Sequence, residues 1–314
     1  MNITSKSIYK LKYFKNIDGF FEVKGGKSGA KTFCVTSNSR KYFVKFRKWC
    51  TPYQKKNFKF FSKYVNTPKI YKSGKVDGIQ YYIAEYIGDK AKQISKMPQD
   101  EIYNLAKYIG AKQLNMSQNM TVSKKIKNKV YKTFYKETYD IYTTAIKLFN
   151  ETKDNLDMDV SNFYANIFKD IKMWGREYLE LFKSADVYYC HGDFKTDNFF
   201  VLDGEVVAVD FEESYYNYLP FMCRACAYEL MLQDTICNEE RYFTKGVVDA
   251  FYKGNVPPKF DRLFVAVLYR AISQYFITRI DKPDKLKKYA HNLSLNFSRV
   301  NSLRELFNFD IDSF

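Results

Sequence analysis

Apolar residues form short β-branched and aromatic runs up to about residue 90 and recur at helical spacing beyond it. Residues 19–47 read as strands. TFCVT (32–36) and KYFVKF (41–46) are joined by the turn formers Ser37, Asn38 and Ser39. Thr51-Pro52 can open a helix, in which Phe58, Phe61 and Val65 share one face. Gly78 precedes a further strand, IQYYIAEYI (79–87), which Gly88 ends. Residues 101–116, about 121–150 and about 160–184 are then helical by pattern. The strand-like island NFFVLDGEVVAVDF (198–211) interrupts them, and helices resume from about 219 with a break at Gly254, Pro257 and Pro258. A small strand-rich segment followed by a larger helical one predicts an α+β protein. Its N-terminal lobe is expected at 1–88 and its helical lobe at 89–314, with the boundary near Gly88-Asp89.

The island carries the chemistry. From Asp193 to Glu213 there are seven acidic residues and one basic one, in a mostly apolar setting. Asp203-Gly204 between two alternating runs signals a two-residue hairpin turn. A reversal there pairs Leu202 with Glu205 and Phe200 with Val207, and it sets Asn198 beside Val209 and Asp210. An amide and a carboxylate then meet at the open end of the hairpin, with Asp193 just upstream. Hard oxygen ligands of this kind suit Mg²⁺, which is usually held by one or two side chains plus substrate phosphates. Taken singly, Asp193 reads equally as a loop cap, and Asn198 and Asp210 as strand-end hydrogen-bonding groups.

His191-Gly192-Asp193, four further residues, Asn198, a hairpin and Asp210-Phe211-Glu212 together resemble the active-site signature of the aminoglycoside phosphotransferases, which have a protein-kinase-like two-lobed fold. DFEESYYNYLPF (210–221) is similar to the corresponding segment of the choline and ethanolamine kinases. The resemblance implies that Asp193 orients the acceptor hydroxyl and takes its proton. Asn198 and Asp210 would hold Mg²⁺ against the nucleotide phosphates, and His191 would brace the loop. FKTDN matches the layout of the LKPEN segment of protein Ser/Thr kinases, which gives Lys195 a place beside the transferring phosphate; its plainer reading is an exposed lysine. Lys45 in YFVKF resembles the strand lysine that meets the phosphates. Gly25, Gly26, Ser28 and Gly29 would form the loop over them. GKS at 26–28 is not a Walker A motif, because Phe21 stands where its first glycine belongs. IAEYIG (83–88), with Glu85 and Tyr86, resembles the hinge whose backbone meets the adenine, and otherwise reads as a buried strand.

Two departures stand out. Gln54 occupies the register of the glutamate that relatives pair with the strand lysine, and no acidic residue lies between Lys48 and Asp77. Met222 stands near the place of a second aspartate.

The expected protein is an ATP-dependent small-molecule kinase, with GTP left open as donor and Mg²⁺ as cofactor. Glu212, Glu213 and the Tyr215, Tyr216 and Tyr218 rings favour a cationic acceptor, an aminoglycoside or an amino alcohol, although the rings also read as core. A protein kinase is the alternative that Lys195 supports; Glu212 in place of a DFG glycine opposes it. Gln54 leaves room for a nucleotide binder without catalysis.

The net charge of +16 changes this picture little. Residues 1–90 hold 20 Lys/Arg and 5 Asp/Glu, so the excess sits almost wholly there. Steering of ATP and a solvated lysine-rich surface explain it, and no nucleic-acid partner is expected. No run nears the roughly 18 apolar residues that span a bilayer, and the N-terminus lacks a signal-peptide stretch, so a cytoplasmic protein is expected. Six cysteines in that setting are expected to be reduced. Cys223 and Cys226 form a CxxC in a helical pattern, read as a buried face because no further zinc ligands are suitably spaced.

Overall fold

The computed structural model describes residues 5–23, 30–47, 59–191, 195–211, 215–217, 238–252 and 260–298. The chain divides into two compact units: Met1–Lys96 with Asp197–Glu213, and Met97–Thr196 with Ser214–Phe314. The hairpin of the acidic island thus belongs to the unit built by the N-terminal segment.

That unit holds a five-stranded antiparallel sheet of β1 (Gly19–Glu22), β2 (Lys31–Ser37), β3 (Arg40–Arg47), β4 (Ile70–Val76) and β5 (Ile79–Glu85), in the order β1-β2-β3-β5-β4. Tight turns fix its register. Asn38 and Ser39 have φ 50° and 61° between the paired residues Ser37 and Arg40, and Asp77 and Gly78 have φ 50° and 75° between Val76 and Ile79. Paired positive φ values match the twist of a two-residue hairpin. One face of the sheet carries Phe33, Val35, Val44, Phe46, Tyr81 and Ile83, two residues apart along each strand. Ile8 of α1 (Ser5–Tyr9) and Leu11 cover it, both buried. Lys45 points to the opposite face, paired across the strands with Thr32 on β2 and Tyr82 on β5.

A second sheet in the same unit joins β6 (Lys92–Gln93) to the hairpin β8 (Phe199–Leu202) and β9 (Glu205–Ala208). Its turn, Asp203 and Gly204 at φ 51° and 80°, gives the expected pairs Leu202–Glu205 and Phe200–Val207.

The other unit is helical. It contains α2 (Gln99–Gln118), α3 (Lys124–Thr152), α4 (Met158–Leu181), α5 (Asn238–Tyr252), α6 (Phe260–Arg279) and α7 (Pro283–Ser298). Ser123 and Asp157 start α3 and α4 by accepting hydrogen bonds from the Ile126 and Asp159 N–H groups. Phe149, Tyr164, Phe168 and Phe276 pack ring to ring among α3, α4 and α6. Strand β7 (Tyr188–Cys190) pairs antiparallel with β10 (Tyr215–Asn217). Neither of these three-residue strands is marked by the apolar pattern of the sequence.

Helices α2 and α5 touch through backbone. A Cβ on Gly246 would lie 2.4 Å from the Tyr103 carbonyl oxygen, and one on Gly110 would lie 2.5 Å from the Val247 carbonyl oxygen. Tyr103 donates to Asp249 at 2.9 Å across this seam, and Lys245 pairs with the same carboxylate at 2.9 Å. Burial and then the bond to Asp249 push the Tyr103 phenol up to about 12. Gly246→Ala must part the helices, and a loss of about 1–3 kcal/mol is expected, the usual cost of overpacking. Urea unfolding measures it against Gly19→Ala, where a Cβ meets nothing within 4 Å.

Candidate active site

The site is assembled on the hairpin. The Val209 N–H donates to the Asn198 carbonyl oxygen at 3.0 Å, which extends the ladder one step past β8 and β9. Asp210 follows directly, so the backbone sets it beside Asn198. The Ala208 N–H donates to the Asn66 carbonyl oxygen at 2.8 Å, and Phe211 is fully buried with its ring stacked on Phe61 at 4.6 Å. Asp210 is therefore held from both sides, and it needs to be. Its φ of 64° is left-handed, a conformation that costs an ordinary residue about 1–2 kcal/mol. Asp197 is also fixed. Gln93 donates to its carbonyl oxygen at 3.1 Å and to its carboxylate at 3.2 Å, and Ser95 donates to the carboxylate at 3.3 Å.

The Lys45 ammonium meets this turn. It donates to Asp210 Oδ1 at 2.8 Å, with the lysine side chain 8% and the aspartate side chain 32% exposed. The register of Gln54 in the sequence does not point to Asp210 as a partner of Lys45. The one available signal was the lack of any acid between Lys48 and Asp77.

Along β5 from Tyr82, Glu85 ends the strand. Its N–H donates to the Lys69 carbonyl oxygen at 2.9 Å and its carboxylate accepts from the Lys69 N–H at 3.3 Å, so the side chain is spent on β4 and the chain entering it. Tyr86 packs over Gly88, where a Cβ would come 2.8 Å from the phenol. Burial raises the Tyr86 pKa, as do the nearby Cys34 and Asp89, while Lys41 lowers it. Lys41 pairs with Asp89, and its ammonium lies 5.9 Å from the Tyr86 ring centre.

In the helical unit, β7 runs into His191, which is 2% exposed. Lys195 is half-buried and Thr196 is buried. Asp193, Gly25, Gly26, Ser28, Gly29, Gln54, Glu212, Glu213, Tyr218, Met222, Cys223 and Cys226 lie outside the described residues.

Asn198 and Asp210 offer the hard oxygens that Mg²⁺ takes, on adjacent backbone positions, and Asp210 already accepts a cation. The donor set fits that metal.

No protein-family model matches the sequence, and no curated protein does. Solved structures match over nearly the whole chain. The aminoglycoside phosphotransferase APH(4)-Ia is 12% identical, with 95% of this chain and 100% of that one covered at a TM-score of 0.59. Spectinomycin phosphotransferase APH(9)-Ia, in complex with ADP and spectinomycin, is 13% identical, with 95% and 99% covered at 0.58. Choline kinase from Cryptosporidium parvum is 14% identical, with 92% and 93% covered at 0.52. The fold is that of the aminoglycoside phosphotransferases and choline kinases. Within this kinase-like fold the strand-rich unit and the helical unit are the two expected parts of an α+β protein. Among the described residues no helix is long and apolar enough to cross a membrane.

Proposed function

We propose that the protein is an ATP- and Mg²⁺-dependent phosphotransferase that moves the γ-phosphoryl group to a hydroxyl of a small cationic molecule. The observation that carries this reading is the Lys45–Asp210 pair at 2.8 Å. It joins the strand lysine to the hairpin carboxylate across 165 residues of sequence, and the carboxylate sits beside Asn198. The pair lies on the sheet face opposite the apolar core of Phe33, Val35, Val44, Phe46, Tyr81 and Ile83. It has the charges and donors that a nucleotide triphosphate and its cation need.

In this reading Lys45 contacts the phosphates, and Gly26, Ser28 and Gly29 supply backbone N–H groups over them. The backbone at Glu85 and Tyr86 receives the base. Asn198 and Asp210 hold Mg²⁺, which when bound screens the phosphate charge. Asp193 orients the acceptor hydroxyl and takes its proton, and Lys195 offsets charge on the group in transfer. Gln54 supports Lys45 without charge. A cationic acceptor is favoured by the acids Glu212 and Glu213, and by the pairing of Tyr215 with Cys190, the residue before His191. The solved phosphotransferases of like fold, in complex with hygromycin B or spectinomycin, make aminoglycosides a first choice of acceptor to try.

The reading is tested by an ADP-release screen across amines, amino alcohols, sugars and aminoglycosides with Mg²⁺ present. Turnover is expected with an amine-bearing alcohol, and silence across all classes would leave a nucleotide binder without catalysis. Calorimetry tests the metal arm separately. Nucleotide binding to Asp210→Ala should no longer depend on Mg²⁺, whereas a dependence equal to that of the unchanged protein would remove Asp210 from the metal site.

A further inference from the structure

Four side-chain atoms in the helical core have no hydrogen-bond partner among the described residues: Tyr164 Oη, Ser273 Oγ, and both Nδ2 and Oδ1 of Asn292. The three residues are 0%, 0% and 1% exposed, so bulk water does not reach them. Elsewhere the same unit satisfies such groups. The buried Tyr142 donates to the Ala266 carbonyl oxygen at 2.7 Å, and Thr278 of α6 donates to the Gln274 carbonyl oxygen of its own helix at 3.0 Å. Ser273 lies on α6 too and leaves this kind of acceptor unused. A buried polar group left unpaired costs more than a made hydrogen bond gains, and native cores keep very few of them.

The atoms come from three helices that meet. A short link, residues 280–282, joins α6 to α7, and short links make antiparallel neighbours. Tyr275 stacks on Tyr289 across the two helices at 3.9 Å, with the rings 8° apart. Beyond that stack, away from the link, Ser273 and Asn292 lie about 3 Å and 4.5 Å further along their helices, so they stand at nearly one level. Tyr164 of α4 packs its ring on Phe276, one turn from Ser273, at 4.6 Å. Burial, then Tyr164 and Tyr275, hold the Tyr289 phenol well above its ordinary range, which sets Tyr164 near α7 as well.

We propose that Tyr164, Ser273 and Asn292 hold buried water between α4, α6 and α7, in a hydration site built into the helical core. An internal water bonds two to four polar groups that the protein itself leaves unpaired, and these side chains offer that number. Asn292 Oδ1 accepts, Asn292 Nδ2 donates, and the two hydroxyls turn either way. All three groups are neutral, so they suit a neutral ligand and offer an ion no counter-charge.

Oxygen-17 magnetic relaxation dispersion of the solvent tests the site on the full chain, because its amplitude counts waters that stay inside the protein for longer than it tumbles. Asn292→Leu keeps the volume and removes both amide atoms, and the amplitude should fall by the equivalent of about one water or more. Thr278→Val, which removes a hydroxyl already bonded within α6, should leave the amplitude as it is. If Asn292→Leu fails to fold, the double variant Tyr164→Phe with Ser273→Ala, which removes only the two hydroxyls, takes its place under the same reading. An amplitude equal to that of the unchanged protein overturns the proposal; direct bonds among the three side chains would give that result. An equal fall in Thr278→Val also overturns it, since the loss would then report a loosened fold.

Discussion

Asp193→Asn is expected to lower turnover by about 10²–10⁴-fold, the usual contribution of a positioned general base, while ATP affinity stays close to that of the unchanged protein. Asparagine keeps the size and much of the hydrogen bonding, and loses the charge and the proton acceptor. His191 and Thr196, two residues before it and three after, are each 2% exposed. The proposed metal ligands Asn198 and Asp210 are untouched. Steady-state rates with the best acceptor from the screen, paired with ATP titration, make the measurement. An asparagine variant of undiminished rate would show that phosphoryl transfer does not run through this loop.

The hairpin was legible because two residues determine it. Asp203-Gly204 takes up positive φ readily, the turn type follows, and the pairing of Asn198 with the chain before Asp210 is then arithmetic. Asp77-Gly78 carries the same signal, and it would have placed β4 before it. In IYKSGKV two lysines, a serine and a glycine mask an edge strand, where charge on the open side guards against unwanted pairing. Strands of two or three residues, such as β6, β7 and β10, have no pattern to read; they exist because a neighbour pairs with them. Helices α2, α3 and α4 were placed within a few residues of their observed ends by their apolar spacing.

The partner of Lys45 lay beyond any local rule. Ion pairs between residues 165 apart depend on how two separately folded pieces of backbone meet, and spacing along the chain does not record that. The stack of Phe61 on Phe211 was hidden for the same reason, although each ring was noted within its own motif. The fold thus follows from short-range pattern, whereas the electrostatics of the site follow from long-range closure of the hairpin onto the sheet.

Lys45→Ala is expected to weaken ATP by roughly 10- to 150-fold, the equivalent of about 1.5–3 kcal/mol for contacts to a charged group, and to leave adenosine almost unchanged. Only ATP presents phosphates, so the ratio of the two affinities isolates them. The substitution also removes the Lys45 ammonium from Asp210. Breaking a fully buried ion pair costs about 3–5 kcal/mol, but the Asp210 side chain is 32% exposed and water can take over part of the lost contact. The stability loss should fall well below that range, and chemical unfolding of the free protein measures it independently of ligand. Both affinities are taken by calorimetry on protein shown to be folded. If adenosine weakens as much as ATP, Lys45 acts by supporting the sheet face on which the base would sit. If ATP alone weakens, the lysine meets the phosphates, and the pair with Asp210 is the resting state of a contact made for them.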